Sequence, residues 1–178
     1  RLSTDDYHRL IESSAFDEFP PCELIDGLLV RKDVKSPAHE NAVAWLLEWL
    51  MFGVDRSRFQ VRVGAALTLD GSEPEPDLMV IDRDAPRPYH PATATLAVEV
   101  SVSSLRRDLN RKAALYAQAG VREYWVFDVG GRRVVVHRSP RAGTYTDVSE
   151  LRAGGRISGA PAGLGELAVD ELLRATGS

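Results

Sequence analysis

The residues best suited to chemistry are two carboxylates in the middle of the chain. Asp77 stands at the start of one apolar run, and Glu99 lies inside another, between Val98 and Val100. A carboxylate in an apolar strand is costly to bury unless it is paired or binds a metal ion. If the two strands are neighbours, with the acids near the same end, both carboxylates would reach one cation.

Such an arrangement predicts a site for a divalent metal ion. Mg²⁺ takes oxygen ligands, commonly one or two carboxylates together with water and phosphate oxygens, and Mn²⁺ suits the same donors. The backbone carbonyl of Val100 is a further candidate ligand. A metal of this kind activates water and stabilises charge on a reacting phosphate. Lys112, on the segment that follows, could orient the attacking water or steady the developing charge.

Each of these residues also has a plainer interpretation. Alternation along its strand would let Glu99 face solvent, and Asp77 follows a proline in a sequence common in turns. Lys112 stands four residues after Asp108 and could pair with it on a solvated helix face. Tyr116 would then be a half-buried helix residue.

Local patterns predict the elements that would position these side chains. Alternating or continuous apolar residues predict strands at 60–69, 78–81, 96–101 and 123–127. Ser103 or Ser104 is the predicted cap of a helix that reaches Ala119. The order of elements indicates a mixed α/β fold with a central sheet flanked by helices.

A second helix is predicted from Ser36, as the cap, and Pro37, in the first helical position, to about Phe52. Its apolar residues cover more than one face, which predicts burial on two sides. The helix would therefore be central to the fold or would form a dimer contact around Trp45 and Trp49.

Length and composition predict one domain over residues 1–178. The lone Cys22 excludes an internal disulfide and a thiolate zinc cluster. The sequence has no apolar run of membrane-spanning length and no secretory signal, so we expect a cytoplasmic protein with no membrane partner. The net charge of −4 is unusual for a nucleic-acid binder. Positive charge nevertheless concentrates at Arg106, Arg107 and Arg111, which could contact phosphates or form an ordinary solvated face.

Several short segments together resemble one known family. They are Glu23 to Gly27, Ser36-Pro37 with His39, Glu75-Pro76-Asp77, Val98 to Ser101, Asp108 with Lys112 and Tyr116, and Gly120 to Trp125. Over about residues 2–173 the chain looks like the Uma2 family, restriction-endonuclease-like proteins of the PD-(D/E)XK nuclease superfamily. The resemblance implies a restriction-endonuclease-like core and a metal-dependent site that hydrolyses phosphodiester bonds.

Matched to the family motif, Asp77 corresponds to its first acid and Glu99 to its second. The motif lysine should follow two positions later, where this chain has Ser101, which cannot carry positive charge. Lys112 on the following helix then resembles the migrated replacement, and it shares a helix face with Tyr116.

Two further residues are implied as supports. Glu23 resembles an additional acid that supports the site or a second metal ion, and His39 would lie near the same pocket. The alternatives are that Glu23 merely flanks a hairpin and that His39 is an exposed polar residue.

The leading hypothesis is therefore a Mg²⁺- or Mn²⁺-dependent DNA endonuclease in which Asp77, Glu99 and Lys112 are catalytic. One alternative is a non-catalytic nucleic-acid-binding module that retains the fold, favoured by Ser101 and the acidic net charge. Another is a structural homodimer. DNA or RNA, in single or double strands, is compatible with these residues.

Overall fold

The computed structural model of the protein describes residues 1–13, 19–86 and 90–177. Along the chain the elements are α1 (Thr4–Glu12), β1 (Cys22–Ile25), β2 (Leu28–Arg31), α2 (Pro37–Gly53), β3 (Phe59–Val63), β4 (Leu78–Asp82), β5 (Leu96–Ser101), α3 (Leu105–Arg107), a π turn (Asp108–Lys112), α4 (Ala113–Gln118), β6 (Glu123–Asp128), β7 (Arg133–Arg141), β8 (Thr144–Leu151), β9 (Arg156–Ile157), β10 (Leu167–Ala168) and α5 (Val169–Ala175).

Six strands form the central sheet in the order β3-β4-β5-β6-β7-β8. Neighbouring strands are antiparallel, apart from the parallel pair β5 and β6. Parallel neighbours need a crossover connection, and here α3, the π turn and α4 supply it. The predicted mixed α/β fold is confirmed, and β5 lies in the interior of its sheet.

Apolar side chains pack on both faces of this sheet. One core contains α2 and α5 against alternate residues of the strands, such as Val98 and Trp125. The other contains α4 against the intervening residues, such as Ala97 and Val126. A strand covered on both faces reads as a continuous apolar run, which is what β5 shows.

All six residues of β5 are buried, including Glu99 and Ser101. Because side chains alternate along a strand, these two share the face of Ala97, against which α4 packs. The interpretation of Glu99 as a solvent-facing residue is therefore wrong. Its carboxylate points toward the helix that carries Lys112.

Strand register explains why two acids 22 residues apart meet. In the antiparallel pair of β4 and β5, Leu78 lies opposite Val98. Extending this register by one residue sets Asp77 opposite Glu99. The predicted neighbouring strands, each with an acid at the same end, are thus present.

Helix α2 begins as predicted. Ser36 accepts a hydrogen bond from the His39 N–H at 3.3 Å, and Pro37 occupies the first turn. One face is buried against the sheet, whereas Phe52 on the outer side is 85% exposed. None of the helices in the described ranges is both long and apolar enough to cross a membrane.

Two predicted elements differ from the structure. The strand predicted over 60–69 ends at Val63, because Gly64 takes a positive φ of 52° and turns the chain away. The helix predicted up to Ala119 is interrupted by the π turn. Ser104 occupies its N-cap position but makes no capping hydrogen bond.

Candidate active site

A concave pocket opens beside the start of β4 and the end of β5. Six carboxylate side chains and four cationic side chains line it, together with His39. The acids are Glu23, Asp33, Glu75, Asp77, Glu99 and Asp108, and the cations are Lys32, Lys35, Arg107 and Lys112. The pocket therefore collects residues from β1, the segment before α2, β5 and the crossover helix.

Lys112 projects from the helix onto the buried acids. Its Nζ lies 2.8 Å from Glu99 Oε1 and 3.0 Å from Glu23 Oε2. The Tyr116 hydroxyl donates to the same Glu99 oxygen at 3.0 Å. Lys112 is only 3% exposed, so its interpretation as a cation paired with Asp108 on a solvated face is wrong.

Burial and neighbouring charge perturb both members of this pair. The pKa of Glu99 is raised to about 8, mainly by burial; Lys112 opposes this shift, and the carboxylates of Asp108, Asp77 and Glu23 add to it. Burial alone would lower the pKa of Lys112, but Glu99 and Glu23 outweigh it and hold that pKa above its ordinary value. Lys112 is therefore protonated.

Asp77 is held in place by three groups. Its Oδ2 accepts from the Val100 N–H at 2.9 Å, and its Oδ1 lies 3.1 Å from His39 Nε2 and 3.8 Å from Lys35 Nζ. Burial opposes ionisation, but the hydrogen bond and charge of His39, with help from Val100 and Lys35, hold the pKa of Asp77 below its usual value. Asp77 is therefore an ionised carboxylate next to Glu99.

Glu23 does more than flank a hairpin. Its Oε2 accepts from Lys112 Nζ and from the Glu75 N–H at 3.1 Å. It thereby connects β1 to the Glu75-Pro76-Asp77 segment and to the crossover helix. These contacts place Glu23 in the pocket beside Lys112, and its role as a supporting acid stays a prediction.

Ser101, where the motif lysine would stand, contacts the crossover helix instead. The hydroxyls of Ser101 and Ser104 both donate to Asp108 Oδ2. Asp108 is 1% exposed and begins the π turn that ends at Lys112. Sequence reasoning did not assign Asp108 to the site; the signal available was its position four residues before Lys112.

Unsatisfied polar atoms also concentrate here. Within the described residues, the buried side-chain atoms without a hydrogen-bond partner are His39 Nδ1, Arg107 Nε and Asp108 Oδ1. Buried polar groups are nearly always paired, so each exception calls for an explanation. All three residues line the pocket, as expected of a site whose polar groups bind something besides the protein.

Comparison with known proteins assigns the chain to a family. A family model described as "Putative restriction endonuclease", Uma2, matches residues 4–170. The chain belongs to the Uma2 family. The resemblance inferred from its motifs is thus confirmed, and membership supports a nuclease-type function.

The fold of this Uma2 protein is shared with a solved structure. A crystal structure titled as a putative nuclease belonging to DUF820, from Anabaena variabilis ATCC 29413, superposes with a TM-score of 0.78 at 15% identity, covering 99% of both chains. The type IIG restriction endonuclease BpuSI matches 84% of this chain and 18% of its own, with a TM-score of 0.46 and 17% identity. No curated protein matches the sequence.

The three predicted phosphate-contacting arginines divide between two surfaces of the Uma2 chain. Arg107 lines the pocket, with Nη2 at 3.3 Å from Asp33 Oδ2 and Nε at 3.9 Å from Glu23 Oε1. Arg106 and Arg111 line an adjoining groove that Arg107 also borders. The groove therefore continues the pocket along the crossover helix.

The donors of the Uma2 site fit an open divalent-cation site. No set of three or more His, Cys, Asp or Glu side chains in the described ranges is arranged to enclose a metal ion. Mg²⁺, however, is commonly bound by one or two carboxylates plus waters and substrate phosphates. Asp77 and Glu99 supply two carboxylates, and a cation between them would offset the repulsion by Asp108, Asp77 and Glu23 that adds to the effect of burial on the pKa of Glu99.

Proposed function

We propose that this chain is a Mg²⁺- or Mn²⁺-dependent endonuclease that hydrolyses phosphodiester bonds of DNA. The observation that carries the proposal is the position of Lys112, whose Nζ lies between Glu99 and Glu23 in the pocket that Asp77 lines. The cation absent at Ser101 is thus supplied from the crossover helix. Family membership supports the same class of activity.

Asp77 and Glu99, with the carbonyl of Val100, would hold the cation. When bound, a divalent cation stabilises negative charge on a phosphate and lowers the pKa of water. Lys112 is protonated and close to Glu99, so it can stabilise the attacking oxygen or the charge that develops on the phosphate.

The remaining residues fix these groups in position. Tyr116 donates to Glu99 Oε1 and limits its rotation. His39 and the Val100 N–H hold the two oxygens of Asp77. Glu23 shares Lys112 with Glu99, so the ammonium group is held from both sides.

Cleavage of supercoiled plasmid DNA tests the proposal. We expect nicking or linearisation with Mg²⁺ or Mn²⁺ and none with EDTA, and we expect Asp77→Asn and Glu99→Gln to abolish it. Arg156→Gln, a 62% exposed side chain outside the pocket, is the control that should cleave like wild type. Full activity in Asp77→Asn would overturn the assignment.

Calorimetric titration with Mn²⁺ separates the enzyme from its main alternative. We expect binding to wild type and a large loss of affinity in Asp77→Asn. Absence of both Mn²⁺ binding and cleavage would favour a non-catalytic nucleic-acid-binding module. Parallel assays on circular single-stranded DNA and on RNA define the substrate.

A homodimer through the outer face of α2 completes the proposal. Phe52 is 85% exposed beside the partly buried Trp45 and Trp49, and exposed apolar patches commonly mark protein interfaces. Light scattering should give twice the chain mass for wild type and a lower mass for Phe52→Asp. Val148→Asp, at another exposed apolar side chain, is the matched control.

A further inference from the structure

All three lysines of the chain line the candidate pocket. They are Lys32, Lys35 and Lys112, whereas the chain has nineteen arginines. Of these arginines, Arg107 is the one that lines the pocket in the part of the chain that the structure describes. Lysine is therefore confined to the site, whereas the other arginines of the described residues lie outside it.

The two cations differ in what they can do. Arginine presents a planar, delocalised fork, whereas lysine carries a compact charge on a flexible stem and binds phosphate as a point charge. On an ordinary solvated surface either residue can supply a positive charge, and this chain has arginine there. Confinement of lysine to one pocket indicates that the compact ammonium group is used there.

Lys32 and Lys35 come from the segment before α2. Lys32 Nζ lies 2.5 Å from Glu75 Oε2, and Lys35 Nζ lies 3.8 Å from Asp77 Oδ1. Both acids belong to the Glu75-Pro76-Asp77 segment, so the two ammonium groups follow that segment along the pocket. Lys112, by contrast, is fully enclosed between Glu23 and Glu99.

The ion pairs of Lys32 and Lys35 are more exposed to solvent than that of Lys112. Their side chains are 27% and 48% exposed, against 4% for Lys112. Ion pairs with solvent access are weak, so such an ammonium group can exchange its carboxylate for another anion at little cost. Lys35, at 3.8 Å from its acid and nearly half exposed, is the most readily released.

We propose that Lys32 and Lys35 form a phosphate-binding subsite for the nucleic-acid backbone next to the reacting phosphodiester. The inference rests on the proposed function, which supplies the polyanionic ligand. A pocket with six carboxylates repels a phosphate backbone, and the two solvent-accessible ammonium groups give that backbone a place to bind. Lys112 remains with Glu99 for the chemical step.

Salt-dependent DNA binding tests the subsite directly. Anisotropy of a fluorescein-labelled duplex, in EDTA to prevent cleavage, is measured against salt for wild type, Lys32→Gln, Lys35→Gln and the double variant. Each lost phosphate contact should reduce the slope of log K against log salt by about 0.9 on duplex DNA, or about 0.7 on a single strand. Arg156→Gln is the charge-matched control and should keep the wild-type slope.

A second measurement needs no variant. Reductive methylation of the wild-type protein modifies lysine side chains, and mass spectrometry measures the extent of labelling at each of the three lysines. We expect a DNA oligonucleotide to protect Lys32 and Lys35, whose side chains are partly exposed, and inorganic phosphate to protect them less. Equal labelling with and without DNA overturns the subsite.

The outcomes also separate the subsite from the proposed function. Plasmid cleavage with an unchanged salt slope in Lys32→Gln/Lys35→Gln overturns the subsite and leaves the nuclease in place. A reduced slope without any metal-dependent cleavage supports the subsite and overturns the nuclease. If wild type does not bind DNA at all, the subsite is also overturned.

Discussion

Lys112 Nζ lies 2.8 Å from Glu99 Oε1, although the two residues belong to a helix and a strand in different layers of the fold. The contact depends on the parallel β5–β6 crossover, which lays the helix over the face of β5 that carries Glu99. The crossover buries the Lys112 ammonium group together with the Glu99 carboxyl group. The pair therefore links the stability of the protein to the chemistry proposed for it.

Removal of Lys112 alone should strongly destabilise the protein. Lys112→Met leaves Glu99 and Glu23 buried without their cation, and breaking a buried pair in this way costs about 3–5 kcal/mol of unfolding free energy. In Lys112→Met/Glu99→Gln the loss should be smaller than the sum of the single losses by about 1–3 kcal/mol. Urea unfolding measures all three variants.

The matched control for this cycle is Arg9→Gln, which breaks the exposed pair with Asp6 and should change the urea midpoint very little. Strict additivity of the Lys112 and Glu99 effects would contradict the direct pairing. Such a result would also weaken the assignment of Lys112 as the site's replacement cation.

Tyr116→Phe should separate the hydroxyl from the ring. The ring is fully buried and packs edge-on against Tyr124 with 4.8 Å between centroids, so phenylalanine preserves the packing. Loss of the hydrogen bond to Glu99 should lower the unfolding free energy by about 1–2 kcal/mol.

Plasmid cleavage by Tyr116→Phe should slow by about tenfold, because Glu99 loses one of the two groups that fix its Oε1. Lys112 still holds that oxygen, so activity should persist. Stability and activity equal to wild type would show that the hydroxyl does not position Glu99. Glu99→Gln, measured in the same assay, serves as the reference for complete loss of cleavage.

The sequence was sufficient to predict those parts of the site that are positioned by regular strands and helices. The apolar run of β5 and the short run after Asp77 predicted two strands, and their antiparallel register brings Asp77 and Glu99 together. The cap at Ser36 likewise predicted the start of α2. These features depend on local patterns, which a single chain displays.

The π turn could not be predicted in the same way, because tertiary contacts favour it. The Tyr124 hydroxyl donates to the backbone carbonyl of Asp108 at 3.2 Å, and Ser101 and Ser104 donate to its carboxylate. π turns are rare and occur often at functional sites. A pattern based on 3.6 residues per turn predicted an ordinary helix, in which Asp108 could lie on a solvated face beside Lys112.

The buried side chain of His137 should make the unfolding free energy decrease at acidic pH. His137 lies in β7, with Nδ1 3.2 Å from the Tyr124 carbonyl, and burial lowers its pKa below the ordinary 6.5. The folded state therefore resists protonation, while the unfolded chain binds a proton below about pH 6.5. The His137 contribution to stability is complete above that pH and is lost as the pH falls through the lowered folded-state pKa.

Unfolding free energies of wild type and His137→Gln between pH 8 and pH 5 test this expectation. The difference between the two curves should narrow as the pH falls, because only wild type has the titrating group. Parallel curves over the whole range would contradict it. His137 lies outside the pocket lining, so metal-dependent cleavage should keep its pH profile in the variant.

Asp108 should act as a positioning residue for Lys112. Its carboxylate ties Ser101 and Ser104 to the first residue of the π turn, and Lys112 is the last residue of that turn. Asp108→Ala removes these hydrogen bonds and should lower kcat about 100-fold, with a smaller change in KM. Asp108→Asn keeps an oxygen acceptor for the serine hydroxyls and should recover part of the loss.

Lysine reactivity distinguishes this role from a general loss of structure. In wild type, Lys112 is enclosed and should resist reductive methylation, whereas Lys35, 48% exposed, is labelled. Asp108→Ala should expose Lys112 to the reagent without changing the labelling of Lys35, because only the π turn is released. A Lys112 that stays protected, together with an unchanged kcat, would show that Ser101 and Asp108 contribute to packing alone and that other contacts hold the lysine on Glu99.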